Sequence, residues 1–277
     1  MIMRCIFCGN DSSSSKSVEH IVPASFGNSI STLPKGIVCD KCNNYFARKI
    51  EAPFLNSEAV LQLRQELEIH NRDGKVVNRF ADLPTKNIMQ ISQDLHLVMS
   101  HEDKTEEEVE QAVFKYQKYL KRTDELLIKP DYNLSRLLAK MAVEAFAYRC
   151  LDDMNVIDYI IDDEAFKMIR EYVRYGGNYI WEYNARRIYA RNEAYHGDLT
   201  TQINYEFDFL FTSQGQAYFI IVMYGIEYAI NIIKNTICDY TEWLKNNHYV
   251  SPLYISPEQR KQEFEGYAKF FAKRQKL

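Results

Sequence analysis

Four cysteines near the start of the chain form two closely spaced pairs, a pattern typical of a bound metal ion. The first pair is Cys5 and Cys8, the second is Cys39 and Cys42, and two residues separate the members of each pair. Each Cys-x2-Cys pair makes a tight turn that presents two thiolates, and two such turns complete a tetrahedral shell around Zn²⁺. Because four protein ligands fill that shell, we expect a structural zinc and assign any chemistry to neighbouring side chains.

Glu19, His20 and Asn43 are the neighbours whose types suit catalysis. The first two lie between the cysteine pairs, and Asn43 directly follows the second pair. An imidazole can act as a general base near neutral pH, and carboxylate and amide oxygens are ligands for a hard cation such as Mg²⁺. Each residue also has an ordinary alternative. His20 could serve packing, Glu19 could be a solvated partner of Lys16, and Asn43 could be a helix N-cap.

Residues 19–23, Glu-His-Ile-Val-Pro, together with the second cysteine pair and the asparagine after it, match a known pattern. The pattern resembles the HNH endonucleases, also called ββα-metal or His-Me finger nucleases, in the subgroup with a four-cysteine zinc site. The interval from His20 to Asn43 is the one that these nucleases use between the base and the last metal ligand. The resemblance covers about residues 1–55 and implies a metal-dependent endonuclease.

The resemblance also implies a role for each candidate residue. His20 would take a proton from the attacking water, while Glu19 and Asn43 would hold one Mg²⁺ or Mn²⁺ that offsets charge on the scissile phosphate. We expect Glu51 on the exposed side of the following short helix. Three basic side chains beside that helix are expected to contact the nucleic-acid backbone; they are Lys41, Arg48 and Lys49.

The resemblance implies double-stranded DNA as the substrate, and bacterial proteins of this build resemble effectors of anti-phage defence. One position departs from the family pattern. Many HNH proteins carry a middle asparagine that braces the loop holding the base, and this chain has Pro34 there. Asn28 and Asn44 are the candidates to replace it.

The composition is that of an ordinary globular protein of 277 residues, with 46% hydrophobic and 26% charged residues. No apolar run is long enough to cross a membrane, and the N-terminus has no apolar leader, so we predict a cytoplasmic protein. Its net charge of −4 argues against a generally basic nucleic-acid binder, although residues 1–52 carry six Lys or Arg against four acidic residues. Six cysteines, four of them in pairs, fit a reducing compartment.

The hydrophobic patterns predict an α+β protein in which a small zinc-stabilised ββα-metal module precedes a mixed helical and antiparallel-sheet region. We place the nuclease domain at residues 1–55 and a region of unknown role at 56–277, with a further division near residue 130 as an open alternative. The predicted elements are a short helix over 43–50 that stops before Pro53, strands over 60–64, 67–70 and 75–80, helices from 105, over 133–150 and over 163–175, a β meander over 205–233, and a C-terminal helix from 256.

Two other interpretations stay open. The zinc module could be non-catalytic and bind nucleic acid or a protein partner, with Pro34 marking a site that has lost its geometry. Alternatively, the α+β region could be the enzyme, but no phosphate-binding loop or other catalytic motif follows residue 60. Under the nuclease hypothesis, residues 56–277 supply targeting, assembly or regulation through a protein partner or self-assembly.

Overall fold

The computed structural model contains mixed helices and antiparallel sheets, which confirms the predicted α+β class. The part of the chain that it describes comprises residues 3–26, 28, 30–66, 69, 88–91, 97–99, 105, 107, 110, 111, 124–189, 193–196, 199–202 and 205–274. No helix among these residues has the length and apolar character needed to cross a membrane.

The N-terminal module has a ββα arrangement. Strand β1 (Glu19–His20) pairs antiparallel with β2 (Thr32–Leu33), and helix α1 (Asp40–Phe46) follows. The N-cap of α1 is Cys39, whose sulfur accepts the backbone hydrogen bond of Cys42 at 3.4 Å. The second cysteine pair is therefore also the start of the helix.

The prediction that this helix stops before Pro53 is wrong. A π-helical turn (Ala47–Glu51) continues α1, and α2 (Ala52–Leu55) follows without a break. Pro53 lies in the first turn of α2, directly after the π-helical turn.

The strand predicted over residues 60–64 is wrong, because these residues lie in helix α3 (Glu58–Glu66). Ala59, Val60 and Leu63 of that helix are buried, and so are Gln62 and Arg64. The short run Val-Leu-Gln-Leu-Arg fits an alternating pattern and a helical one equally well, so its periodicity alone could not decide between strand and helix. The strand predicted over 75–80 and, apart from residue 69, the strand predicted over 67–70 lie outside the described residues.

The next described segments are two short strands, β3 (Ile88–Ile91) and β4 (Leu97–Met99), which pair antiparallel. Most of the helix predicted from residue 105 lies outside the described residues. A 3-10 turn (Asp124–Leu127) precedes the second region.

Three helices follow in succession. They are α4 (Tyr132–Arg149), α5 (Met154–Asp162) and α6 (Glu164–Tyr175). The first and third were predicted and are confirmed, whereas α5 was not predicted. Asp131 caps α4, where its carboxylate accepts a 2.7 Å hydrogen bond from the backbone N–H of Leu134. Gly176 has a positive φ and ends α6, in the left-handed half of backbone space that glycine favours.

The predicted β meander over 205–233 is present as three strands, β8 (Tyr205–Phe211), β9 (Ala217–Met223) and β10 (Ile226–Asn231). A fourth strand that was not predicted, β5 (Tyr183–Arg187), pairs with β10 and gives an antiparallel sheet with strand order β5-β10-β9-β8. Between β5 and β8 a small hairpin pairs β6 (Glu193–His196) with β7 (Leu199–Gln202).

Both faces of the two central strands are covered. Phe219 and Ile221 face the main core, which includes α4, while Tyr218 and Ile220 pack against α7 (Cys238–Asn246). Burial on both faces explains why β9 reads as a continuous apolar run rather than an alternating one.

The C-terminal helix is confirmed as α8 (Pro257–Arg274). It packs on the edge strand β8, where Phe211 contacts Phe264 and Tyr267. The hydroxyl of Ser256 accepts a hydrogen bond from the backbone N–H of Gln259 at 3.1 Å, as expected of a helix start.

One hydrophobic core joins the N-terminal module to the second region. Ile6, Phe46 and Ile50 belong to the same buried cluster as Leu137 of α4 and Ile221 of β9. The domain boundary at residue 55 therefore stays a prediction about folding units, since packing is continuous across it.

Candidate functional site

The four paired cysteines meet at one point. Their sulfur atoms all lie within 4.8 Å of one another, and those of Cys8 and Cys39 are 3.7 Å apart. A tetrahedral zinc with Zn–S bonds of ~2.3 Å requires sulfurs about 3.8 Å apart. The first turn is closed by a 2.8 Å hydrogen bond from Gly9 N to Cys5 O. The cysteines are thus positioned to bind a metal ion, and Zn²⁺ fits both the ligand type and the spacing.

The environment of these thiols also favours a cation. A hydrogen bond with Cys42 lowers the pKa of Cys5 to about 5, while burial raises the pKa of Cys8 to about 11. The hydrogen bond with Cys5 and burial raise the pKa of Cys42. Four thiolates at this separation repel one another, so a bound cation is needed to ionise all of them together.

Strand β1 turns Glu19 and His20 in different directions, because successive side chains of a strand alternate between its faces. Glu19 is 4% exposed, whereas His20 is half-buried. Asn43, in α1, donates a hydrogen bond from Nδ2 to the carbonyl of Val18 at 3.3 Å, next to the start of β1. That bond leaves the amide oxygen as the remaining polar atom of the side chain. The three predicted site residues therefore belong to two adjoining elements.

A buried lysine from α4 reaches this strand. The ammonium of Lys140 lies 2.7 Å from Glu19 Oε1, 3.0 Å from Glu51 Oε1 and 2.9 Å from Glu144 Oε2. It also donates a hydrogen bond of 3.1 Å to the carbonyl oxygen of His20. The Lys140 side chain is fully buried, so each of these contacts is made away from water. We call Lys140 and the three glutamates the lysine cluster.

The expectation that Glu51 is on the exposed side of its helix is wrong. Its side chain is 17% exposed and contacts Lys140. The physical reason is the π-helical turn that ends at Glu51, which holds more residues per turn than an α-helix and rotates this side chain inward. Such turns are frequent at functional sites.

Charges in the lysine cluster do not balance. Three carboxylates face one ammonium, and burial raises the pKa of Glu19 and, more strongly, of Glu144. Burial lowers the pKa of Lys140, but the facing carboxylates outweigh it and raise that pKa well above its usual value. The ammonium therefore stays charged at neutral pH.

Two carboxylate oxygens of the cluster, Glu19 Oε2 and Glu144 Oε1, are buried without a hydrogen-bond partner among the described residues. An unsatisfied buried oxygen is costly unless a proton or a cation takes it up. Glu19 Oε2 and the amide oxygen of Asn43 are oxygen ligands of the type that Mg²⁺ or Mn²⁺ binds. Ligation by this pair stays a prediction. The other carboxylate oxygen, Glu19 Oε1, forms an ion pair with Lys140.

Sequence reasoning missed Lys140 and Glu144. A signal for them existed, because they are four residues apart in an apolar stretch of α4 whose neighbours are fully buried. Charged residues are almost never fully buried unless they are paired. The pattern indicates a buried ion pair between Lys140 and Glu144, but it gives no indication that Glu19 and Glu51 also contact Lys140.

Asn28 ties together the loop between β1 and β2. Its amide nitrogen donates to the carbonyls of Val22, at 2.7 Å, and Ser31, at 3.0 Å. Its amide oxygen accepts from the backbone N–H of Ser31 at 2.9 Å and from the hydroxyl of Tyr205 at 2.6 Å. Asn44, the other candidate for the missing brace, is exposed on α1.

The three basic residues predicted to contact nucleic acid are all exposed. Lys41 belongs to α1, while Arg48 and Lys49 belong to the π-helical turn after it. They lie on the same continuous helical stretch as Asn43, and contact with a phosphate backbone stays a prediction for each.

Comparison with known proteins bears on the N-terminal part of the chain. Residues 5–58 match the HNH endonuclease family. This match confirms the resemblance inferred from the cysteine pairs and the Glu-His dipeptide. No curated protein and no solved structure matches the chain. We call residues 5–58 the HNH segment; it contains β1, β2, α1 and all four clustered cysteines.

Proposed function

We propose that the protein is a metal-dependent endonuclease that hydrolyses DNA phosphodiester bonds. The observation that carries the proposal is that the HNH segment brings His20, Glu19 and Asn43 to two adjoining elements beside the four-cysteine cluster. In this proposal the zinc keeps the strand and the helix together, and the three side chains perform the reaction.

His20 acts as the general base. It is half-buried rather than enclosed, and an imidazole can accept a proton from water near neutral pH. Glu19 and Asn43 hold one Mg²⁺ or Mn²⁺, which supplies charge stabilisation at the scissile phosphate. The hydrogen bond from Asn43 to the carbonyl of Val18 orients the amide so that its oxygen serves as the ligand.

We further propose double-stranded DNA as the substrate and anti-phage defence in a bacterial cytoplasm as the setting. Support for a nucleic-acid substrate comes from the exposed Lys41, Arg48 and Lys49 on the helical stretch that carries Asn43. Contacts of this kind are made with phosphates rather than bases, so they supply affinity and leave sequence specificity to other parts of the chain. Residues 56–277 then provide targeting, assembly or regulation.

Plasmid nicking with Mg²⁺ or Mn²⁺ tests the proposal. We expect His20→Asn to lower the cleavage rate by about 10²–10⁴-fold, the usual contribution of a general base. His248→Asn is a matched control, since His248 is exposed and has a positive φ, a conformation that asparagine tolerates. Equal nicking by the His20 variant and the wild type, at equal zinc content, would rule out His20 as the base.

A second candidate function is a non-catalytic zinc module that binds nucleic acid or a protein. The observation that favours it is the ion pair between Glu19 Oε1 and Lys140, which occupies one oxygen of the expected metal ligand. This candidate predicts that the protein retards DNA in a mobility-shift assay but nicks it with neither Mg²⁺ nor Mn²⁺. Cation-dependent nicking that requires His20 excludes it.

A further inference from the structure

Lys140 lies outside the HNH segment and yet makes close polar contacts to its short strand. The residue comes from the middle of α4, more than a hundred positions along the chain from β1. Its ammonium contacts two polar groups of the strand, the Glu19 carboxylate at 2.7 Å and the His20 carbonyl at 3.1 Å.

Strand β1 has little regular structure of its own to fix it. It consists of two residues, and its register with β2 involves two residue pairs. Catalytic groups must be held within fractions of an ångström, by supporting groups whose own positions are fixed by packing. Lys140 is fully buried and faces three carboxylates. Lys140 is such a support, because moving its ammonium would leave the facing carboxylates without a counter-ion away from water.

The contact also selects one oxygen of Glu19. Lys140 takes Oε1, and Oε2 remains buried without a hydrogen-bond partner among the described residues. Lys140 thus fixes the carboxylate through one oxygen and leaves the other oxygen available to a cation.

We propose that Lys140 is a positioning residue of the nuclease site, which orients Glu19 and the His20 backbone from outside the HNH segment. The proposal rests on the proposed function. It implies that the HNH segment is incomplete without α4, so that any movement of the second region which shifts α4 would change cleavage.

The test compares Lys140 with a cation of the sheet that makes a similar ion pair outside the HNH segment. Lys140→Met keeps an unbranched side chain and removes the charge, and Arg186→Met does the same in β5, where the guanidinium pairs with the buried carboxylate of Glu227. The full-length variants are assayed for plasmid nicking across a series of Mn²⁺ concentrations, after circular dichroism and zinc content have shown that they are folded.

We expect Lys140→Met to raise the Mn²⁺ concentration for half-maximal cleavage, or to lower the maximal rate, by about 10–100-fold, as loss of an outer support does at metal sites. Arg186→Met should change neither by more than about threefold, because its contacts are with Glu227 and the carbonyl of Tyr249, both outside the HNH segment. A purely structural Lys140 would lower the yield of folded protein and leave the Mn²⁺ dependence of the folded fraction unchanged, which would overturn the proposal.

A second variant covers the case in which Lys140→Met does not fold. Lys140→Met combined with Glu144→Gln removes one charge of each sign from the cluster, so the double variant keeps the formal charge balance of the wild type. The same shift in Mn²⁺ dependence is expected, and its absence in the folded double variant counts against the proposal. Failure of the two ideas is distinguishable: if wild type and His20→Asn nick equally, the proposed function fails, whereas a His20-dependent activity that is indifferent to Lys140 overturns the inference alone.

Discussion

The HNH segment and the region from Asp124 onward hold their elements in place by different means. The segment has two strands of two residues each and one continuous helical stretch over residues 40–55. The later region has an 18-residue helix, α4, and a four-stranded sheet whose central strands are buried along their whole length. The part of the chain that matches the HNH endonuclease family therefore has the smaller regular structure and needs more support.

Three kinds of support are visible for the segment. Clustered thiols hold its two turns from within, buried polar contacts from α4 and β8 hold its strand and loop, and an exposed ion pair beside its first turn reaches α5. The comparison predicts that these supports differ in strength in that order. Each of the following changes removes one of them.

Removal of the metal should have the largest effect. Structural zinc in small sites contributes on the order of 10 kcal/mol, so Cys42→Ser should lose zinc and unfold the segment while the buried strands β9 and β10 retain slow hydrogen exchange. Cys238→Ser is the control, because this cysteine is exposed and lies outside the cluster. Mass spectrometry measures the zinc content and the hydrogen-exchange rates of individual peptides. Unchanged exchange at Glu19–His20 in a zinc-free Cys42→Ser protein would show that the later region alone supports the segment.

Loss of the loop brace should have an intermediate effect. Asn28→Ala leaves the carbonyls of Val22 and Ser31 and the hydroxyl of Tyr205 without the Asn28 side chain as a partner. We expect a loss of about 1–3 kcal/mol in the free energy of unfolding. Asn44→Ala should change that free energy by less than about 0.5 kcal/mol, as surface substitutions usually do. The reason is that Asn44 lies on the exposed face of α1.

Chemical denaturation measures both asparagine variants. The comparison decides which asparagine takes the place of the middle asparagine that Pro34 replaces in the family pattern. A larger loss for Asn44→Ala would reverse the assignment made from the hydrogen bonds of Asn28.

What sequence could predict depends on how local each signal is. The cysteine pairs indicated the metal cluster because each pair lies within one turn, and the periodicity of residues 133–150 indicated α4 because a helix repeats over many residues. The run at 60–64 was misassigned because five residues satisfy both the strand period and the helix period.

The lysine cluster could not be predicted, for a different reason. Its members come from β1, from the π-helical turn and from α4, and their meeting depends on how these elements pack. The inward orientation of Glu51 depends on a π-helical turn, and the sequence of that turn, Ala-Arg-Lys-Ile-Glu, does not predict a π-helix. The catalytic roles of Glu19, His20 and Asn43 stay predictions, which the nicking assay tests.

The exposed pair of Arg4 and Asp162 should matter least. The two side chains are joined by hydrogen bonds of 2.7 and 2.8 Å, and the hydrogen bond with Arg4 lowers the pKa of Asp162. A lowered carboxyl pKa stabilises the folded state above the ordinary pKa of aspartate, and the stabilisation is lost as the pH falls through the lowered value. At pH 7 the contribution is therefore complete. Water and salt nevertheless screen it, because the Asp162 side chain is 61% exposed.

We expect Asp162→Asn to lower the melting temperature slightly at low salt and pH 7, and the difference from wild type to disappear at high salt. Glu164→Gln is the matched control, since its carboxylate forms a local pair with Lys167 on the same helix. Thermal unfolding at two salt concentrations measures both variants. An effect of Asp162→Asn as large as that of Asn28→Ala would contradict the ranking, because it would mean that a solvated contact holds the first cysteine turn to α5 as firmly as a buried one holds the loop to β8.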